Sequence, residues 1–266
     1  MTTHHLNHDF TWVDAGSAPR LLSAEQIESF DRDGYVALRG VLDRGEIAAL
    51  QHAIDEHEAR TEEFLRGLPD GELFIAKSDA ITFTVHLVVR CAPARRFTRH
   101  PVMLDLAHDL VGPDVRLYWD QAVYKKPEPD REFPWHQDNG YAFIEPQQYL
   151  TCWVPLTAAT LDNGCPWIAP RRHRSGTLTH RATPVGFQCL DQVDDAVPVE
   201  ADPGDVVVFS SLTPHRTGPN RTDATRKAYI VQYAPDGATV VSDDGTRTPC
   251  VDPERQYEVL RGGSSA

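Results

Sequence analysis

The stretch Trp135-His136-Gln137-Asp138-Asn139 places an imidazole and a carboxylate two residues apart. On extended backbone, positions i and i+2 project to the same face, so His136 and Asp138 would aim at one point. Thr213-Pro214-His215, far downstream, offers a second imidazole. Two histidines and one carboxylate cover one face of an octahedral ion and leave the other open. That donor set suits non-haem Fe(II) sites that activate dioxygen, and it also suits a hydrolytic zinc ion. Arg226, eleven residues beyond His215, could hold a carboxylate through two parallel hydrogen bonds. The arginine and the β-rich surroundings favour iron over zinc.

These residues need strands to position them. From Val115 onward, β-prone runs alternate with turn residues, as in a β-sandwich or jelly roll. The runs are Arg116–Tyr124, Trp135–Asp138, Tyr149–Pro155, Pro166–Ala169, Val206–Phe209 and Ala228–Tyr233. Val206–Phe209 leads straight into Thr213-Pro214-His215. If the loop Arg216–Thr225 joins antiparallel neighbours, His215 and Arg226 face one cavity mouth. The N-terminal part reads as helical. Ser23-Ala24-Glu25-Gln26 has the form of a capping box, with Gly34 as the stop. After Asp43, the residues Ile47, Leu50 and Ile54 form an apolar stripe. Val102–Leu110 is a further helix, and Phe83–Val89 is apolar without a deciding period.

The 266 residues suffice for one domain, 1–266, with a buried core and no need of disulfides. Residues 1–20 and 254–266 read as flexible tails, and His4, His5 and His8 fall in the first of them. With 26 Lys and Arg against 39 Asp and Glu, the formal charge is −13. That balance argues against nucleic acid or an anionic membrane as partner. No apolar run reaches membrane-spanning length, and no leader pattern opens the chain. Five cysteines without a zinc spacing read as reduced thiols, so the expected location is cytoplasmic. The expected partner is a small molecule; monomer and homodimer are equally open. Arg95, Arg96, Arg99 and His100 read as a solvated face or a grip for an anionic substrate.

Three ordered motifs resemble the phytanoyl-CoA dioxygenase family of iron(II)- and 2-oxoglutarate-dependent oxygenases, over roughly Ala24 to Pro235. Phe133-Pro134-Trp135-His136-Gln137-Asp138 is similar to the family's His-Gln-Asp motif. Thr151–Leu156, followed by Asn163-Gly164-Cys165-Pro166-Trp167, is similar to its Trp strand and Asn-Gly turn. His215-Arg216-Thr217-Gly218-Pro219-Asn220, followed by Thr225-Arg226-Lys227-Ala228, is similar to its closing motif. The resemblance implies a mainly β fold, a double-stranded β-helix (jelly-roll, cupin-like) core with flanking α-helices. It implies that His136, Asp138 and His215 hold Fe(II) and that Arg226 binds the distal carboxylate of 2-oxoglutarate. Thr217, Trp153 and Gln121 would contact the same co-substrate, with O2 as oxidant. Halogenating relatives lack the triad carboxylate, so Asp138 implies oxygenation. Two positions depart from the pattern: Arg171-Arg172-His173 replaces Gly-Ser-His, and Ala80 stands where some members carry a lysine. The expected substrate is accordingly a small organic molecule of specialised metabolism, to be hydroxylated, cyclised, epimerised or desaturated, rather than an acyl-CoA. Gln137, Asn139, Tyr141 and Phe143 are the expected substrate-binding residues.

Overall fold

The computed structural model describes residues 2–16 and 18–266. Helix α1 (Ala24–Asp33) starts on the reciprocal capping box of Ser23 and Gln26 and stops at left-handed Gly34. It leads into β1 (Tyr35–Leu38). Helix α2 (Arg44–Arg66) is capped by Asp43, whose carboxylate accepts from Gly45 and Glu46 N–H. A short hairpin, β2 (Glu72–Leu73) and β3 (Ala76–Lys77), precedes β4 (Ile81–Val85). The ambiguous run Phe83–Val89 is split between two structures. Strand β4 ends at Val85, His86 takes a left-handed conformation, and α3 (Leu87–Arg90) begins. Helices α4 (Ala92–Phe97) and α5 (Pro101–Leu110) follow.

The strands from here on build the site. They are β5 (Val115–Lys125), β6 (Phe133–His136), β7 (Ile144–Glu145), β8 (Leu150–Pro155) and β9 (Pro166–Ile168). Then come β10 (Arg181–Thr183), β11 (Gly186–Gln188), β12 (Val197–Pro198), β13 (Val206–Ser210), β14 (His215–Thr217) and β15 (Arg226–Pro235). The chain closes with β16 (Thr239–Val241), β17 (Arg247–Pro249), β18 (Glu258–Arg261) and β19 (Ser264–Ser265). The major sheet runs β1-β13-β8-β15-β5-β4-β3-β2, and a smaller sheet, β12-β9-β14-β6, faces it. All pairings within these sheets are antiparallel. The architecture is the expected mainly β jelly roll with flanking helices.

Two-residue periodicity decides which side chains see the site. On the outer face of the major sheet, Val206, Val208, Cys152, Val154, Tyr229 and Val231 pack against Ile47, Leu50 and Ile54 of α2 and the apolar side of α5. On the inner face, Val207, Phe209, Trp153, Ala228 and Ile230 meet Ile168 of the smaller sheet. Burial of each large side chain contributes about 1.5–3 kcal/mol, so a slip of one residue would be costly along every strand.

The flexible-tail expectation is corrected at both ends. Trp12 is buried and donates to Asp31 at 3.1 Å, and Thr3 bridges to Leu178. Strand β18 pairs with β5. The basic cluster holds that C-terminal segment: Arg95 donates to Glu254 O at 2.8 Å and Arg99 to Glu258 O at 2.9 Å. Both guanidinium groups lie over the Tyr257 ring, so they are neither a bare solvated face nor a substrate grip. The five cysteines are free. Among the described residues, no helix is long and apolar enough to cross a membrane.

Candidate active site

Strand β6 ends on His136, and Gln137 remains extended (φ −109°, ψ 144°) before Asp138 opens a 3-10 turn. The i, i+2 geometry therefore holds across the strand end. Antiparallel pairing of β14 with β6 sets His215 directly opposite His136, with ring centroids 4.1 Å apart. One donor atom from each of His136, Asp138 and His215 lies within 4.8 Å of the others.

Each donor is braced from behind. His136 Nδ1 lies 2.9 Å from Pro134 O, and His215 Nδ1 lies 3.0 Å from Thr213 O. A carbonyl oxygen only accepts, so both rings carry their proton on Nδ1 and present the Nε2 lone pair to the cavity. Asp138 Oδ2 accepts from Thr151 Oγ1 at 2.5 Å, and Thr151 Oγ1 in turn accepts from Gln232 at 3.2 Å. That leaves Asp138 Oδ1 free, 3.8 Å from His215 Nε2. Burial, with His215 nearby, pushes His136 down to about 3, and burial pushes His215 down to about 4. Both imidazoles are thus neutral at physiological pH, the form that ligates a metal. Burial also raises Asp138; a bound cation would offset that. The donor set, its bracing and its neutrality fit Fe(II).

Arg226 opens β15 and is 1% exposed. Among the described residues, none of its three guanidinium nitrogens has a hydrogen-bond partner. Its Cζ sits 5.4 Å from the Trp153 ring centroid. Burial lowers it to about 10, so it stays charged at neutral pH. A buried, unpaired guanidinium costs several kcal/mol, and an anion with two acceptor oxygens would satisfy it. Thr217, on the opposing sheet, lines the same cavity, as do Gln121 and Trp153. The residues therefore fit a co-substrate carboxylate.

The route to this arrangement differs from the expected one. The segment Arg216–Thr225 does not join neighbours in one sheet. Strand β14 belongs to the smaller sheet and β15 to the major one, so His215 and Arg226 reach the cavity from facing walls. The cavity encloses about 500 Å³ and is lined mainly by apolar and aromatic side chains.

Of the four expected substrate contacts, only Tyr141 lines the cavity; its ring meets His136 edge-on, 5.4 Å between centroids. Gln137 is fully buried elsewhere, donating to Gly176 O at 3.0 Å and Leu212 O at 2.5 Å and accepting from Leu178 N. Asn139 accepts from Ile144 N at 2.9 Å and donates to Thr177 Oγ1 at 2.6 Å. Phe143 stacks on His4 at 5.0 Å. These three build the loop rather than the cavity surface. Arg171 and Arg172 pair with Asp195 and line no part of the cavity.

Sequence reasoning missed Thr151 and Gln232, the brace of Asp138, and Lys125. Lys125 stands opposite Arg226 in the β5–β15 register, 1% exposed, and its ammonium donates to Gly218 O. Burial, then the charge of Arg226, lowers it to about 7. It ties down the turn that follows Thr217. The available signal was parity: Gln121 and Lys125 are four apart on one strand and share a face. A second cluster, exposed His5 and Asp243 with part-buried His4, lies at the surface away from this cavity.

A jelly roll with this triad and a buried arginine in one cavity defines the non-haem iron, 2-oxoglutarate-dependent oxygenases. Residues 30–228 match the family model of phytanoyl-CoA dioxygenase. The chain belongs to that family. It is 27% identical over 249 residues to a probable phytanoyl-CoA dioxygenase of Caenorhabditis elegans, covering 84% of this chain and 79% of that protein. It is 27% identical over 220 residues to a methylphosphonate hydroxylase of Gimesia maris, with 80% of each covered. Among solved structures it is similar to the carbocyclase SnoK from nogalamycin biosynthesis (TM-score 0.72, 23% identity, 92% of this chain and 100% of that one). It is also similar to the epimerase SnoN in complex with Fe3+, alpha ketoglutarate and nogalamycin RO (TM-score 0.68, 20% identity, 88% and 97%). At these identities the structural likeness speaks for the fold.

Proposed function

We propose that His136, Asp138 and His215 hold one Fe(II), that Arg226 and Thr217 hold the distal carboxylate of 2-oxoglutarate, and that the enzyme oxidises a small organic molecule of specialised metabolism. The observation that carries this reading is the fully buried, unpaired Arg226 in the cavity of the triad. A zinc hydrolase would use the three donors but has no need of that arginine. Together, bound iron, 2-oxoglutarate and O2 supply the oxidising power that removes a hydrogen atom from the substrate.

The chain's own part is geometry and exclusion of water. The Nδ1 hydrogen bonds of His136 and His215 hold both rings in one tautomer, and Thr151 fixes Oδ2 of Asp138, leaving Oδ1 turned to the metal position. Trp153 and Gln121 bound the co-substrate side. Hydroxylation, cyclisation, epimerisation and desaturation share the same first hydrogen removal, so one site geometry serves all four outcomes. Four of the basic residues that could have met a coenzyme A polyphosphate are engaged elsewhere, Arg95 and Arg99 with the C-terminal segment and Arg171 and Arg172 with Asp195. That supports a small substrate over an acyl-CoA. The test is a mass-spectrometric screen with Fe(II) and 2-oxoglutarate, following succinate together with gain of one oxygen or loss of two hydrogens. Stoichiometric succinate and a hydroxylated product from phytanoyl-CoA would overturn the substrate reading. Failure of Fe(II) and 2-oxoglutarate to bind would overturn the whole.

A further inference from the structure

The strand register separates the cavity into two ends. Arg226 and Lys125 face each other at one end of the β5–β15 pair, whereas Gln232 stands opposite Trp119 and Thr151 at the other. Because Thr151 and Gln232 brace Asp138, the triad lies toward the second end. Past it the walls are Tyr118, Trp119, Tyr149 and Tyr141. Tyr118 and Tyr149 meet edge-on, 5.1 Å between centroids. Among the described residues their hydroxyls have no hydrogen-bond partner, leaving two neutral groups free to meet a ligand.

Beyond the triad carboxylate, no described lining residue at this end carries a charge. Among the described lining residues only Asp138 and Arg226 are ionised, one a triad donor and the other the carboxylate anchor. Arg255, whose charge is felt at Tyr118 and which bonds His86 behind Trp119, is already matched by Asp252 at 2.9 Å, as Lys77 is by Glu72 at 3.0 Å. An anionic or zwitterionic substrate would enter with no unpaired counter-charge at this end and lose its hydration.

The roof adds a second observation. Between β2 and β3 the loop is two residues, Phe74 and Ile75, with Leu73 paired to Ala76. Two-residue hairpin loops favour glycine, asparagine or aspartate where φ is positive. Here Phe74 takes φ 55° and is 67% exposed. Its ring reaches Tyr141 (6.4 Å) and Phe187 (5.8 Å) over the cavity mouth. Opposite it, Gly186 at φ 125° leaves room that a Cβ would take from Tyr141 Oη, 2.6 Å away. A bulky aromatic kept at a strained, solvent-facing tip points to a function at that tip rather than to the fold.

We infer that the substrate is an uncharged molecule with a flat ring system, bound against Tyr118, Trp119 and Tyr149, and that Phe74 is a specificity-determining residue that covers it. This rests on the oxygenase reading of the site. The test uses the full chain, anaerobic, with Fe(II) and 2-oxoglutarate bound, and calorimetric titration with two probes: a dihydroxyanthraquinone and the same ring system bearing a carboxylate. The neutral probe is expected to bind at least tenfold more tightly. Phe74→Gly is expected to weaken the neutral probe roughly tenfold, with 2-oxoglutarate affinity unchanged and Tm equal or higher, because glycine relieves the φ strain. A purely structural Phe74 would lower Tm instead. Equal or tighter binding of the carboxylate, no binding of the neutral probe, or no effect of Phe74→Gly on its affinity would each overturn the inference. Failure of the oxygenase reading is seen separately, as loss of 2-oxoglutarate binding before any probe is added.

Discussion

Replacing Arg226 separates its two effects. In the protein without co-substrate, the guanidinium is buried and unpaired. Arg226→Met keeps most of the side-chain length and removes that burden, so the ligand-free variant should melt no lower than the parent, and higher if the burial cost dominates. The parent should gain from 2-oxoglutarate by mass action, about 2.7 kcal/mol at a hundredfold excess over Kd. At roughly 2–4 °C per kcal/mol for a chain of this size, that is a rise of about 5–10 °C. Arg226→Met should show almost none of it. Arg226→Lys keeps the charge and loses the fork. Loss of one of two charge-assisted hydrogen bonds, ~1.5–3 kcal/mol, raises KM for 2-oxoglutarate about ten- to a hundredfold with a smaller change in kcat. Thermal melts with Mn(II) in place of iron read the first pair of effects, and succinate release reads the second. A methionine variant still stabilised by 2-oxoglutarate, or a lysine variant with unchanged KM, would refute the assignment.

Other consequences can be checked alongside. Thr151→Val removes the donor that fixes Asp138 Oδ2 and should weaken metal binding about ten- to a hundredfold, measured by metal titration with circular dichroism as the control for folding; unchanged affinity would refute the brace. His136→Ala should bind less than one equivalent of iron while melting as cooperatively as the parent. Asp120, fully buried, is raised from 3.8 to about 6 by desolvation, against the opposing hydrogen bonds of Tyr229 and Val88. A raised carboxylate favours the protonated native state. Its contribution is therefore complete below about pH 4 and is lost as pH climbs through about 6, roughly 3 kcal/mol in all. Asp120→Asn should flatten the urea stability profile between those values, and an unchanged slope would contradict it.

What could be read from the sequence was local pattern along a strand. His136 and Asp138 share a face through a period of two, Val206–Phe209 was legible as a strand from its β-branched residues, and Arg226 was found through its charge and the motif around it. The errors fall where that period ends. After Asp138 the chain turns into a 3-10 helix, so Asn139 and Phe143 no longer alternate with the triad, and Gln137 had the opposite parity from the start. The segment Arg216–Thr225 crosses between sheets, a step that no local pattern announces. The terminal segments looked polar because their anchors are few and scattered: Trp12 on Asp31, Tyr257 under two arginines. Phe74 carried no signal, since its importance lies in a backbone angle that residue type argues against.

The β5–β15 ladder has a consequence for co-substrate choice. Arg226 and Gln232 are six residues apart on one strand, about 20 Å of backbone at the usual rise, and neighbouring strands clamp it on both sides. The ladder therefore works as a ruler. The gap between the proposed carboxylate anchor and the triad is set by this ladder together with the facing strands β6 and β14 that position His136 and His215, and two braced sheets do not adjust for a 2-oxo acid one carbon longer or shorter. The β2–β3 hairpin stands outside that ruler, at the sheet's edge. Its tip can change length and composition without altering the measured distance, so substrate range can drift while the oxidising centre keeps its dimensions.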